Sequence, residues 1–285
     1  MIHGRRVLDA HQHFWQLGPD AYAWLTPEAG PLHASFGVAD VEPQVAASGV
    51  DDVVLVQADG TVADTDAMLA IADGWPRVAG VVGWAPLDVP DALAATLERY
   101  AADRRVVGLR HQIHDEPDAD WVVREPVLAG LGAVAAAGLT YDVVAVVPRH
   151  LEHVPTLADR HPDLRLVIDH LAKPPVAAGG WEPWAGLLRE AAERPNVSAK
   201  LSGLDTAAGP GYGAGDLAPY VEHALALFGP ERLMFGSDWP VSTLAGGYAR
   251  WWDVVTELVA PLSPDEQVAV LGASARDFYG IEEKA

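Results

Sequence analysis

Eight short apolar runs alternate with helix-like stretches along the whole of this chain, and no other feature restricts its fold so tightly. The runs cover residues 6–14, 52–58, 78–85, 106–112, 140–146, 165–171, 197–203 and 233–239. Strand, helix, strand repeated in this way calls for parallel strands joined by right-handed crossovers. Eight such units match a (β/α)8 barrel in number, and 285 residues suit it in length. The structural alternative, an open doubly wound sheet, usually has fewer strands, and no Gly-x-Gly-x-x-Gly follows the first run. The expected fold is therefore α/β, a single (β/α)8 TIM barrel domain over residues 1–285, with its active site at the C-terminal ends of the strands.

The helix-like stretches carry end signals. Asp40 is read as the cap of a helix stopping near Gly49, Asp91 as the start of one running to about Asp103, and Asp216 as the start of one ending at Phe228. Leu128 to Ala137 precedes Gly138, a C-terminal stop, and Ser263-Pro264-Asp265-Glu266 is a capping-box pattern. The longest segment between runs, Gln16 to Val50, holds Pro19, Trp24, Pro27 and Pro31 and reads as a long loop over the catalytic face.

Composition removes several function classes. With 40 acidic and 19 basic residues the formal charge is −21, so a phosphate backbone is repelled and nucleic acid is not an expected partner. No apolar run reaches the ~18 residues that span a membrane, and the N-terminal segment lacks a signal-peptide layout. With no cysteine there are no disulfides, thiolate ligands or cysteine nucleophiles, which agrees with a cytoplasmic location.

A barrel also supplies a selection rule, because its chemistry sits where the strands end. Run one ends in His11 and His13, two residues apart and hence on one face of a strand. Run two ends in Gln57, run four in Arg110-His111-Gln112, run six in Asp169-His170, and run eight in Asp238; run seven carries Lys200 and Ser202. Polar groups converging on one rim argue for an enzyme, since barrel interiors are otherwise packed with branched apolar side chains. Asp9 and Asp169 are expected to face away from their histidine neighbours and to be structural. Lys200 is either a substrate anchor or a snorkelling lysine. His150, His153, His161 and His223 are assigned to the surface, His3 to the terminus, and His33 and His114 to loops on the active face. Most tryptophans are packing residues, whereas Trp15, Trp24 and Trp239 stand beside the site, where they can wall a pocket or stack on a sugar ring.

His11, His13, His170 and Asp238 make a compact set of three nitrogens and one carboxylate. They can hold one Zn²⁺-like cation that acidifies a bound water to a pKa of about 7, or act with no cofactor at all. Without a cation, Asp238 takes the proton from water while histidines and Arg110 stabilise the developing oxyanion. Either route hydrolyses an activated carbonyl. Gly-x-Ser-x-Gly and His-Glu-x-x-His are both absent.

These residues resemble the amidohydrolase superfamily. Asp9-Ala10-His11-Gln12-His13-Phe14-Trp15, Gly108-Leu109-Arg110-His111 with Asp115-Glu116-Pro117-Asp118, Ile168-Asp169-His170-Leu171-Ala172-Lys173-Pro174, Lys200-Leu201-Ser202-Gly203-Leu204 and Phe235-Gly236-Ser237-Asp238-Trp239-Pro240-Val241 are, in that order, similar to its sugar-lactonase branch. That branch is the L-fuconolactonase and L-rhamnonolactonase group, with 2-pyrone-4,6-dicarboxylate lactonase more distant. The chain departs from binuclear members of the superfamily: strand four offers Arg110-His111 in place of a lysine, and strand five Tyr141-Asp142 in place of a histidine. A binuclear centre is therefore not expected, and the lactonase branch occurs both with an ion and without need of one. The resemblance implies a small neutral polyhydroxylated lactone as substrate. It implies Asp238 as the base that activates water, His170 assisting or polarising the carbonyl, and His11 and His13 binding the carbonyl or a mononuclear ion. Arg110 and His111 would hold substrate hydroxyls or a carboxylate, with Lys200, Gln57, Trp15 and Trp239 as further binding candidates. A metal-dependent decarboxylase of the same superfamily and a non-catalytic carbohydrate-binding barrel are the competing readings.

Overall fold

The computed structural model describes residues 1–18 and 22–283. Eight parallel strands form one sheet in chain order: β1 (Leu8–Gln12), β2 (Asp52–Val56), β3 (Val78–Gly83), β4 (Val106–His111), β5 (Thr140–Val143), β6 (Leu166–Ile168), β7 (Val197–Leu201) and β8 (Leu233–Phe235). They are buried on both faces, as a parallel sheet wrapped by helices requires, and β2 and β3 are the most valine-rich. The sheet curls until β8 meets β1, giving the expected (β/α)8 barrel.

The seam is stitched just past the strands. His13 N donates to Trp239 O at 2.7 Å and Asp238 N to His11 O at 2.9 Å. Asp9 clamps it, accepting the amides of His11 (3.1 Å) and Ser237 (2.8 Å) and the side-chain amide of Gln12 (2.7 Å). Its structural role was expected.

Apolar packing falls into two main layers. A large cluster fills the space between strands and outer helices. A smaller one, with Leu8, Ala10, Val54, Val56, Val167 and Met234, occupies the barrel interior and is closed from below by Phe278 and Tyr279 of the helix Ser274–Tyr279. Among the described residues no helix is long and apolar enough to cross a membrane.

Several expected boundaries shift. β5, β6 and β8 stop three or four residues before their apolar runs do, because the chain turns there into functional loops. Asp40 and Asp216 are not caps: Gly37 and Gly213 hold those positions, and each aspartate accepts the cap amide from one turn inside the helix (2.8 and 2.9 Å). Helices begin earlier than read at Pro90 and Glu125, whereas the Ser263–Glu266 capping box is present. The 16–50 segment is only partly loop, since Val38–Ala47 is helical; Pro19 lies outside the described residues. His150 and His153 are buried on the inner face of their helix rather than at the surface.

Candidate active site

Alternation along β1 puts Leu8 and Ala10 inside the barrel and would send Gln12 inward too. The β1–β2 register shifts between Asp9 and Gln12, which turns His11 and His13 inward and leaves Gln12 on Asp9. Gly236 makes room on the neighbouring element, where a Cβ would stand 2.7 Å from that of His11.

Above the apolar interior lies a layer of fully buried charges, which must be paired to be tolerated. Lys200 Nζ bonds Asp142 and stands 3.1 Å from Asp169 Oδ1 and 3.0 Å from His11 Nδ1. Arg110 donates from Nη1 to Asp169 (3.0 Å), from Nε to Gln57 Oε1 (2.9 Å) and from Nη2 to the Gln57 carbonyl. Tyr279 reaches up from the closing helix and donates to Asp142 at 2.9 Å. Burial raises the Asp142 pKa to about 6 against the pull of Lys200. Burial also opposes ionisation of Asp169, yet Lys200, His11 and Arg110 hold it well below the usual carboxylate range.

The layer is the floor of an open cavity of about 250 Å³. His13, His170, Asp238 and Arg110 line its base; Trp15, Trp24, Leu32 and Val241 form an apolar wall, and Gln112, His114, Asp115 and Lys173 a polar one. Asp238 Oδ1 lies 3.4 Å from His13 Nε2, 3.7 Å from His11 Nε2 and 3.9 Å from His170 Nε2. Burial works against its charge, but the imidazoles hold its pKa far below the ordinary value. Burial brings His170 down to about 4, and burial followed by the Lys200 charge lowers His11 well below its usual range. At neutral pH the site thus holds an ionised Asp238 beside the neutral imidazoles of His11 and His170.

Hydrogen-bond partners fix where the imidazole protons sit. His13 Nδ1 faces the Val56 carbonyl at 2.8 Å, so it carries the proton and leaves Nε2 a bare acceptor. His11 is contacted on both nitrogens: Nε2 lies 3.0 Å from His13 Nε2 and 3.3 Å from Arg110 Nη1, and Nδ1 lies 3.0 Å from Lys200 Nζ and 3.4 Å from Asp169 Oδ1. His170 Nδ1 meets Ser202 Oγ at 2.8 Å; with the hydroxyl donating, Nε2–H faces the cavity.

His170 begins an unusual piece of backbone. His170, Leu171, Ala172 and Lys173 have φ of 56°, 48°, 58° and 47°, a full left-handed turn without glycine, and Asp238 has φ 54°. Each such residue costs roughly 1–2 kcal/mol, and strain of this kind gathers at functional sites. Here the Lys173 amide closes on His170 O at 2.8 Å and Trp184 Nε1 donates to Leu171 O at 2.6 Å. Gly203 lets the His170 ring approach so closely that a Cβ would stand 2.7 Å from Nδ1.

The structure brings together His11, His13, His170, Asp238 and Arg110 as expected, with Trp15 on the wall. It leaves four candidates off the cavity. Lys200 is fully buried, its ammonium spent on Asp142 and Asp169; Gln57 is occupied in holding Arg110. His111 alternates outward from Arg110, stacks on Trp121 at 4.1 Å and bonds Glu116 at 2.7 Å. Trp239 is buried against Phe14 and Phe36. Asp169, expected to face away, lies inside the barrel because its parity follows Val167. Lys173 was missed because a left-handed turn has no strand or helix period. Asp205 was missed as well. It is fully buried with no side-chain hydrogen-bond partner for its carboxylate, and burial, then the Asp238 charge, raises its pKa to about 7.

The donor set fits a single cation. His11, His13 and Asp238 converge within 4.8 Å. The bare Nε2 of His13, anchored through Nδ1, is a ligand-ready imidazole. His11 would join through Nε2 with its proton on Nδ1, where Asp169 Oδ1 lies 3.4 Å away.

A barrel of this topology with His-x-His on β1, His after β6 and Asp after β8 is the pattern of an amidohydrolase, and the chain belongs to that family, whose model matches residues 8–281. It is 41% identical over 280 residues to an L-fucono-1,5-lactonase of Burkholderia ambifaria, with 96% of each chain covered. It is 35% identical to an L-fucono-1,5-lactonase of Burkholderia multivorans, over 99% of this chain and 98% of the relative. A crystal structure of an amidohydrolase from Burkholderia multivorans with bound zinc superposes with a TM-score of 0.89 at 35% identity, covering 97% of this chain and 100% of that one.

Proposed function

We propose that this protein hydrolyses the lactone of a sugar acid, of the L-fucono-1,5-lactone type, to the open hydroxy acid, with the cytoplasm as its setting. The observation that carries the reading is Asp238, ionised, with one oxygen within 3.4–3.9 Å of three imidazoles at the base of the cavity. Full-length similarity to two curated lactonases supports it.

Asp238 takes a proton from a water, whose oxygen attacks the ring carbonyl carbon. The negative charge that develops on the carbonyl oxygen is met by His170 Nε2–H, an arrangement that acts only as the charge appears. His13, a bare acceptor, cannot donate there in this protonation pattern and serves instead to orient the water or pass a proton. The C–O bond to the ring oxygen then breaks, and the proton held by Asp238 goes to the departing alkoxide. The apolar wall of Trp15, Trp24 and Leu32 gives one face of the sugar ring a dry surface. A cation held by His11, His13, His170 and Asp238 would supply Lewis-acid polarisation and a more acidic water at the same place.

The test is hydrolysis of a panel of aldonolactones followed with a pH indicator, before and after exhaustive chelation. Turnover of 1,5-lactones is expected. Turnover of none, with CO₂ released from an aromatic carboxylate after metal addition, replaces this reading by the decarboxylase.

A further inference from the structure

We propose that Lys173 is the carboxylate-binding residue of the cavity, receiving the negative group that ring opening creates. The inference rests on the lactonase reading and adds a residue and a product to it. Three observations lead to it. First, the left-handed turn closes through the Lys173 amide on His170 O at 2.8 Å, a 3₁₀-type bond. In such a turn residues i and i+3 eclipse, so His170 and Lys173 present their side chains to one cavity, as its lining shows. The strained turn thus sets a lysine and a histidine on the lining of one cavity.

Second, Lys173 is uncommitted. Arg110, the other cation at the cavity, is consumed by Asp169 and Gln57, and Lys200 is sealed beneath the floor. Lys173 is exposed and makes no ion pair among the described residues. Lys173 lines the same cavity as His170, His114 and Asp238, and its charge is felt by the buried His170 and Asp205, which sets it at the reacting end.

Third, the reaction changes charge at one place. A neutral ester enters and a carboxylate leaves, formed where water adds between Asp238 and His170. Asp238 repels that product, so a cation on the same rim is needed to hold it and the oxyanion before it. Charge-assisted hydrogen bonds of this kind are the strong ones.

The experiment compares the wild type with Lys173→Gln and Lys173→Arg. L-fuconate and the uncharged polyol L-fucitol are titrated while tryptophan fluorescence is followed, Trp15 and Trp24 being on the wall. Lys173→Gln is expected to weaken L-fuconate by about tenfold or more, to leave L-fucitol within about twofold, and to relieve product inhibition during lactone turnover. Lys173→Arg is expected to recover most of the L-fuconate affinity. Unchanged L-fuconate binding in Lys173→Gln, or an equal loss for the polyol, overturns the assignment while leaving a lactone-hydrolysing wild type intact. A wild type that neither binds L-fuconate nor turns over any lactone overturns the functional reading, and this inference with it.

Discussion

Asp205 offers a quantitative test of how the barrel rim handles a buried charge. Its side chain is fully buried, its oxygens have no side-chain hydrogen-bond partner, and Asp238 adds a like charge, so its pKa rises from 3.8 to about 7. A group whose pKa is raised on folding lends stability while it keeps its proton and withdraws it as pH climbs to the folded value. The unfolded chain loses this proton near pH 4, whereas the folded chain keeps it to about 7. Each unit of difference is worth ~1.4 kcal/mol. Raising the pH from 5 to 8 therefore removes roughly 3 kcal/mol of the wild type's stability through this one side chain. Asp205→Asn keeps the shape and abolishes the ionisation. Urea unfolding of both proteins, read by the fluorescence of the ten tryptophans, should show the variant gaining on the wild type by roughly that amount across the range. Curves that stay parallel from pH 5 to 8 would show that Asp205 is solvated or partnered in the folded state, and the burial argument would fail.

Asp238→Asn should lower kcat on a lactone substrate by about 10²–10⁴-fold with the far-ultraviolet circular dichroism unchanged. Lys200→Met removes the partner of two buried carboxylates and should cost about 3–5 kcal/mol, measured as the shift in denaturation midpoint at pH 7. Gly203→Ala drives a methyl to within 2.7 Å of His170 Nδ1 and should collapse kcat/KM. Gly209→Ala, at φ 81° with nothing within 4 Å, should lose some thermal stability and keep its kinetics.

The barrel was legible because its evidence is periodic and repeated. Eight short apolar runs separated by helix-like stretches permit few topologies, and the capping box at Ser263 survives unaltered. Of the site, the residues that terminate strands were visible from their position alone: His11, His13, Arg110, His170 and Asp238. What escaped was whatever depends on a broken period. The parity change after Ala10 preserved the histidine pair by a route simple alternation does not contain. The left-handed turn hid Lys173, and the assumption that Asp169 must oppose His170 failed because the strand ends at Ile168. Lys200 and Gln57 are binding candidates by their place at strand ends. Their burial beneath the floor, rather than exposure at it, follows from partners on other strands that no local pattern reveals.

Tyr279 has a consequence for how such a chain comes to be made. Its hydroxyl completes Asp142, and Asp142 in turn neutralises Lys200 beside His11, yet it follows all eight strands in the sequence. A nascent chain that has already delivered β1 through β8 still lacks this stopper, and water can enter the barrel from beneath. Assembly of the histidine end therefore waits on a helix at the opposite end. A lesion at that distant helix is poised to surface as a catalytic defect before it registers as a loss of secondary structure.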